Sequence, residues 1–132
     1  MSANKTENYK LHTWEASDDF LRQEFNENFA AIDAAIHENV VAGAYIGDGA
    51  DRQAIDLGFT PKAVLVMDER GEASYSTYIR GGLAVSGGPC RYGDQEIIVI
   101  VEGGFRAVYD HSKYVDIGAN IKGETYHYLA FR

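Results

Sequence analysis

The sequence is poor in the residues that most often carry recognisable chemistry. It has one cysteine and two prolines among 132 residues. Cys90 cannot form a disulfide within a single chain, so packing and hydrogen bonds must hold the fold. A catalytic thiol needs a neighbouring base and a lowered pKa. Pro89 and Arg91 beside the cysteine provide neither, which favours a packing role for Cys90.

Positive charge is also scarce. Twelve Lys and Arg stand against 20 Asp and Glu, which gives a net charge of −8. This excess repels phosphate backbones and anionic lipid headgroups, so we expect no nucleic-acid partner and no membrane docking. No apolar run approaches the roughly 20 residues needed to cross a bilayer, and no signal-peptide pattern is visible. We therefore expect synthesis in the cytosol without membrane insertion.

The common enzyme and metal motifs are missing as well. There is no Gly-x-Ser-x-Gly elbow, no His-Glu-x-x-His and no phosphate-binding loop. Glu96 and Glu102 flank an apolar strand that would separate them by about 20 Å, too far for a glycosidase pair. The four histidines lack ligand spacing. We predict a non-enzymatic protein without cofactor or metal. Calcium binding around Asp48, Asp51 and Asp56 stays open beside turn formation by these aspartates.

A helical pattern follows a lead-in over residues 1–16, whose first six residues we expect to be disordered. Ser17 can cap a helix. Apolar residues then recur every three or four positions, which places them on one helix face. We predict a helix over residues 17–41 that needs a partner for this face, either its own β-domain or copies of itself. The stripe comprises Leu21, Phe25, Phe29, Ile32, Ile36 and Val40.

Residues 42–132 contain short apolar runs separated by glycines. The runs 63–67 and 97–101 are typical of buried strands. The glycines at 103–104 predict a hairpin turn, and Thr125–Phe131 predicts a closing strand in which His127 is partly buried. About seven strands at this spacing predict an antiparallel β-sandwich. The predicted fold class is therefore mainly β, with one amphipathic helix before a domain over 42–132.

Tyrosines supply the candidate binding surface. The chain has nine of them, many near strand ends. Aromatic faces beside polar groups suit sugars and protein partners, because they bury area at low entropy cost. Alternatively, these tyrosines cover the sandwich core. We place recognition near the loops 68–74 and 86–94. The candidate ligand-binding residues are Tyr75, Tyr78, Arg80, Arg91, Tyr92, His111 and Tyr114.

Two groups of motifs resemble short tail-fibre and baseplate-associated proteins of bacteriophages and prophages. The first group lies around the helix and consists of Trp14, Asp18, Phe20, Asn26, Asn28, Ile32 and Asp33. The second group runs from Gly47-Asp-Gly49 through Leu57-Gly-Phe-Thr-Pro61 and Gly103-Gly-Phe105 to the pair Tyr128 and Phe131.

The resemblance implies a place in the virion tail, with other tail proteins as partners. It implies a distal β-domain that contacts the host surface, where a carbohydrate would be the ligand. Two alternatives remain open: a purely structural tail or baseplate component, and a small cell-wall glycan hydrolase with two converging carboxylates. The resemblance also implies a homotrimer whose seam is formed by Leu21, Phe25, Phe29, Ile32 and Ile36.

Overall fold

The computed structural model describes residues 1–36 and 39–132, which divide into two compact units, Met1–Asn39 and Val40–Arg132. The N-terminal unit begins with a short hairpin of β1 (Asn4–Lys5) and β2 (His12–Thr13). Helix α1 (Arg22–Ile36) follows. The expectation of disorder over residues 1–6 is wrong, because β1 lies within this segment and pairs with β2.

Helix α1 is shorter than the predicted helix over 17–41. The turn that contains Ser17 precedes the helix, and Asp18 Oδ2 there accepts the backbone N–H groups of Ala3 at 3.0 Å and Glu15 at 2.9 Å. At the other end Val40 starts a strand instead of extending the helical stripe. Residues 37–38 lie outside the described residues.

Polar side chains of α1 tie the hairpin to the helix. The Glu24 carboxylate accepts the Ser2 N–H at 2.8 and 3.0 Å and the indole N–H of Trp14 at 3.0 Å. Asn28 accepts the backbone N–H of His12 at 2.6 Å and donates to its carbonyl at 2.9 Å. The N-terminal unit is therefore held together mainly by hydrogen bonds to the helix.

The C-terminal unit is built of strands, which confirms the mainly β class. A four-stranded antiparallel sheet has the order β3-β13-β5-β8, and a larger sheet has the order β6-β7-β12-β11-β10-β9 with β4 paired to β11. The strands are β3 (Val40–Ile46), β4 (Arg52–Asp56), β5 (Ala63–Asp68), β6 (Ser74–Tyr75), β7 (Tyr78–Ile79), β8 (Gly82–Val85), β9 (Cys90–Tyr92), β10 (Gln95–Val101), β11 (Gly104–Asp110), β12 (Asp116–Gly118) and β13 (Thr125–Phe131).

A clean sandwich of seven strands is wrong. The described chain has 13 strands in several sheets, because short strands extend the larger sheet. One of these pairings, between β7 and β12, is parallel. Most of these short strands form local hairpins, such as β6 with β7 and β9 with β10, but two or three residues are too few to show an alternating pattern in the sequence.

The hairpin of β10 and β11 is confirmed, with its two glycines in different roles. Val101 pairs with Gly104, so Glu102 and Gly103 form the two-residue turn, and Gly103 has φ +82°. That conformation favours glycine. Gly104 lies in the strand, where a Cβ would collide with the carbonyl oxygen of Ile55 on β4.

The core of this unit lies between the buried faces of the two sheets. The rings of Tyr45 and Tyr126 stack with centroids 5.0 Å apart, and Phe105 meets Tyr45 edge-on at 5.7 Å. The Tyr45 hydroxyl donates to the Ala119 carbonyl at 2.7 Å. The Tyr126 hydroxyl donates to the Gly118 carbonyl at 2.5 Å. Burial raises the pKa of both phenols, so they stay neutral donors.

The sheet faces differ from two sequence expectations. Strand β5, predicted to be buried on both faces, alternates between fully buried Val64 and Val66 and half-buried Leu65. In β13, Tyr126 and Ala130 are buried while His127 is exposed, so partial burial of this histidine is wrong. Both differences arise because one face of the four-stranded sheet points away from the core.

Candidate functional site

The predicted ligand-binding residues fall into separate groups. Tyr75 and Tyr78 lie on β6 and β7, and Arg80 follows directly. Arg91 and Tyr92 lie on β9, at the opposite end of the strand order. His111 and Tyr114 lie in the segment between β11 and β12. The structure therefore brings three of the seven residues together around Arg80 and does not place all seven in one constellation.

Arg80 is the centre of the first group. Its Nη1 lies 3.8 Å from Asp68 Oδ2 and 3.6 Å from Glu124 Oε2. Its guanidinium carbon lies 5.9 Å from the ring centroid of Tyr75 and 5.8 Å from that of Tyr78. A cation at this distance is attracted to the face of an aromatic ring. We call Asp68, Tyr75, Tyr78, Arg80 and Glu124 the arginine cluster.

Asp68 is the anchor of this cluster. Its carboxylate is buried, and it accepts the N–H groups of Arg70 and Glu72 at 2.9 Å each and Arg70 Nη2 at 3.3 Å. Burial works to raise the pKa of Asp68, but these hydrogen bonds and the Arg70 charge outweigh it, and the pKa is lowered. Asp68 therefore stays charged at neutral pH and forms an ion pair with Arg80.

Tyr75 is already engaged by the chain itself. The guanidinium carbon of Arg70 lies 4.6 Å from its ring centroid, closer than that of Arg80. The Tyr75 side chain nevertheless remains about half exposed. Its outer surface can accept a ligand while its neighbours hold the ring in place.

Arg91 of the second group lines a polar cleft along β11, which we call the β11 cleft. It has a volume of 380 Å³, and Val108 and Ile117 are its apolar lining residues. Arg91 lies 3.8 Å from Glu96, whose other oxygen accepts a hydrogen bond from Arg106 at 3.1 Å. The remaining lining residues are Arg52, Asp94, Gln95 and Asp110.

Asp110 is the most strongly hydrogen-bonded carboxylate of the β11 cleft. It accepts the Ser112 hydroxyl at 2.6 Å and backbone N–H at 2.9 Å, and the Gln95 amide at 3.2 Å. These contacts, led by the Ser112 hydroxyl, lower the pKa of Asp110. The cleft thus presents fixed negative and positive groups beside its two apolar residues.

The other three predicted residues, Tyr92, His111 and Tyr114, lie apart from these contacts. The His111 ring is 5.2 Å from the ring of Tyr109. Tyr114 is 88 % exposed. Tyr92 on β9 is about half exposed. Each ring offers a face to solvent, so the candidate recognition surface is a scatter of tyrosines around the arginine cluster and the β11 cleft.

The predicted seam residues show the clearest departure from ordinary burial. Phe25, Phe29 and their three companions Leu21, Ile32 and Ile36 are between 38 and 75 % exposed. The ring centroids of Phe25 and Phe29 are 4.6 Å apart. Phe20, which was not among the predicted seam residues, extends this ladder with its ring 5.3 Å from Phe25 and 4.9 Å from Trp14.

Other predicted roles can be placed as well. Asp48 and Asp56 support turns, because each accepts a backbone N–H two residues ahead at 2.9 Å. The half-buried Cys90 packs its sulfur near the Gly81 carbonyl, and burial raises the pKa of its thiol. Among residues 1–36 and 39–132 no three His, Cys, Asp or Glu side chains are grouped to hold a metal. No described helix is long and apolar enough to cross a membrane.

Comparison with known proteins yields no relative: no family model matches the chain, and no curated protein or solved structure matches it significantly. The likeness to phage tail proteins therefore rests on the sequence motifs alone.

Two members of the arginine cluster, Asp68 and Glu124, are absent from the predicted site. Glu124 is distant in sequence from Arg80, whereas Asp68 lies closer to it and had one local signal, its position directly after an apolar run.

Proposed function

We propose that this protein is a homotrimeric tail component of a bacteriophage or prophage, in which α1 joins three copies and the β-unit recognises the host surface. One observation supports the assembly most directly. Glu24 is the buried residue of α1, whereas the apolar stripe faces solvent. An amphipathic helix normally buries its apolar face. The reversed arrangement favours a helix whose stripe is covered by other copies.

The side chains along α1 suit such a seam. Phe25, Phe29, Ile32 and Ile36 follow one another at steps of four, three and four residues. This spacing keeps them on the helix face that meets a neighbouring helix in a bundle. Leu21 continues the stripe before the first turn, where its carbonyl accepts the N–H of Phe25 at 3.2 Å.

The recognition role is supported by the tyrosines of the β-unit. Tyr75, Tyr92 and Tyr114 expose about half or more of their side chains. In the sequence, charged residues of the arginine cluster lie near Tyr75, and charged residues of the β11 cleft lie near Tyr92 and Tyr114. Exposed aromatic rings beside fixed polar groups are the chemistry that binds sugar rings, which pack their C–H faces on the ring while their hydroxyls meet the charges.

Binding to glycan arrays and to bacterial cells tests this role. We expect the full chain to bind, and Tyr75→Ala, Tyr92→Ala or Tyr114→Ala to weaken binding about tenfold, because a stacking ring contributes about 1.4 kcal/mol. Tyr9→Ala is the matched control, since Tyr9 is also exposed but belongs to the N-terminal unit. Blank arrays and cells with a folded, assembled protein would count against recognition.

A purely structural tail component is the second candidate. The observation that favours it is the engagement of Tyr75 by Arg70 and Arg80 within the chain. Under this alternative the tyrosine variants leave cell binding unchanged and instead alter contacts with other tail proteins.

The hydrolase alternative finds less support. Glu96 is paired with two arginines and the pKa of Asp110 is lowered, whereas a glycosidase needs a carboxyl group that stays protonated.

A further inference from the structure

The outer face of the four-stranded sheet is a second large apolar surface. Successive side chains of a strand point to opposite faces. In β13 Tyr126 and Ala130 are buried, so His127 and Leu129 point outward with Phe131. The same alternation places Leu65 and Met67 of β5 and Leu83 of β8 on this outer face.

The pairing of the strands aligns these side chains into rows. Leu129 pairs with Leu65, and Leu65 pairs with Leu83, so three leucines lie side by side across neighbouring strands. The next outward row continues through Phe131, Ala63 and Val85. Among the outward positions of these four described strands, His127 is the one ionisable residue.

The face is exposed and wide enough to matter. Leu83 is 56 % exposed and Ile46 of β3 is 63 % exposed. Four strands about 4.8 Å apart, with some six residues at about 3.4 Å each, span on the order of 400 Å². This lies within the range of about 300–600 Å² for the largest apolar patch of a typical monomer, a patch that is often functional. A groove of 470 Å³ beside Leu65, Met67 and Leu129, which Glu69, Arg70 and His127 also line, gives room for a neighbouring side chain.

Chain length links this face to the stripe of α1. The helix ends at Ile36 and β3 begins at Val40, so at most about 14 Å of extended chain separates them. Packed helices lie about 8–10 Å apart. Any bundle formed through the α1 stripe therefore tethers the β3 starts of neighbouring copies within about 40 Å of one another. Val40, the first residue of β3, already points outward with 43 % of its surface exposed.

We propose that the outer face of the four-stranded sheet packs against neighbouring copies of this chain. The inference rests on the self-association in the proposed function and adds a second surface to it. A stable interface buries about 800 Å² on each partner. The α1 stripe, about 22 Å long and 10 Å wide, covers about a quarter of this area by itself, whereas stripe and sheet face together cover about three quarters. A nearly uncharged face also suits a second copy of a chain whose net charge of −8 lies elsewhere.

The rate at which Met67 is oxidised measures whether this surface is covered in the intact protein. Met67 lies on the outer face, and Met1 is an internal control outside it. With dilute hydrogen peroxide and mass spectrometry, we expect Met67 to react at least tenfold more slowly in the assembled protein and to become reactive on dilution. Equal reactivity at all concentrations would overturn the proposal. Protection that never depends on concentration would also overturn it, because the chain itself would then cover the face.

Charge variants separate this surface from the helix seam. Leu83→Glu and Val85→Glu place a charge at exposed positions, so the monomer should fold, which circular dichroism checks. We expect each to weaken association at least tenfold in light scattering, while Ala50→Glu on an exposed turn leaves it unchanged. If both sheet variants assemble like the wild type and Phe29→Asp dissociates, the sheet proposal fails and the seam stands. If the sheet variants dissociate and Phe29→Asp does not, the seam fails and the sheet contact stands.

Discussion

The two units of this chain differ in the burial of their large apolar side chains. In the β-unit, Phe105 and Tyr126 are fully buried between two sheets. In the N-terminal unit, Phe25 and Phe29 are exposed on α1 while Glu24 is buried beneath the hairpin. The β-unit therefore has a core of its own, whereas the N-terminal unit exposes its apolar stripe.

The difference shows how each unit is stabilised. Burial of apolar area supplies most of the stability of a domain, and the β-unit follows this rule. The N-terminal unit depends on hydrogen bonds to carboxylates. Burial works to raise the pKa of Glu24, but hydrogen bonds from Ser2 and Trp14 and the nearby His12 outweigh it, and the pKa is lowered. Its stability should depend on pH and on self-association.

A matched pair of phenylalanine truncations gives the largest contrast. Phe105→Ala should lower the free energy of unfolding by about 3–5 kcal/mol, because it leaves a cavity in the core. Phe29→Ala should change it by less than about 0.5 kcal/mol in a dilute monomer, because the ring is exposed. Urea unfolding followed by circular dichroism measures both. Equal losses would mean that Phe29 is buried within its own chain.

Removal of one tyrosine hydroxyl gives an intermediate effect. Tyr126→Phe keeps the ring but leaves the carbonyl of Gly118 and the N–H of Ile121 without their partner. The expected loss of unfolding free energy is about 1–3 kcal/mol. Tyr114→Phe is the control and should be neutral, since that side chain is 88 % exposed. A neutral Tyr126→Phe would show that the buried hydroxyl contributes little.

Acidification should loosen the N-terminal unit through a smaller, local effect. The pKa of Glu24 is lowered in the folded chain, so its contribution is present above its ordinary pKa and is lost as pH falls through the lowered value. We expect the Ser2 amide to lose protection from hydrogen exchange in that range, while the amides of β13 keep theirs.

Glu24→Gln provides the control for this titration. The amide keeps the shape of the side chain but removes the charge that Ser2 and Trp14 bind. Ser2 should then exchange faster already at neutral pH, with a weaker response to acid. An unchanged acid response in Glu24→Gln would assign the effect to another carboxylate, of which Asp18 is the nearest candidate because it accepts the N–H of Ala3.

Local sequence pattern explains which parts of the fold were predictable. Strand β13 and the β10–β11 hairpin follow from contiguous apolar residues and a glycine turn, and both are confirmed. The short strands β6, β7, β9 and β12 were missed or misplaced because two or three residues are too few to show an alternating pattern, although β6 and β7, like β9 and β10, form local hairpins. The start of the helix was misplaced because Asp18 bonds to Ala3 and Glu15, a tertiary contact that outweighs local capping preference.

The candidate site was predictable to the same extent. Tyr75, Tyr78 and Arg80 are close in sequence and meet in the structure. Asp68 and Glu124 join them through sheet pairing and could not be found from spacing. The outer face of the four-stranded sheet was missed for a related reason: its rows combine residues from four strands, and the run 63–67 alone indicated burial on both sides.

The molar mass in solution tests the central claim most directly. Light scattering of the full chain should give three times the 14.6 kDa of one chain, and Phe29→Asp should give the mass of a single chain with an unchanged β-sheet spectrum. That result would support α1 as the element that joins the copies. A single-chain mass for the wild type at every concentration would contradict the account, because the exposed stripe would then have no copy to meet.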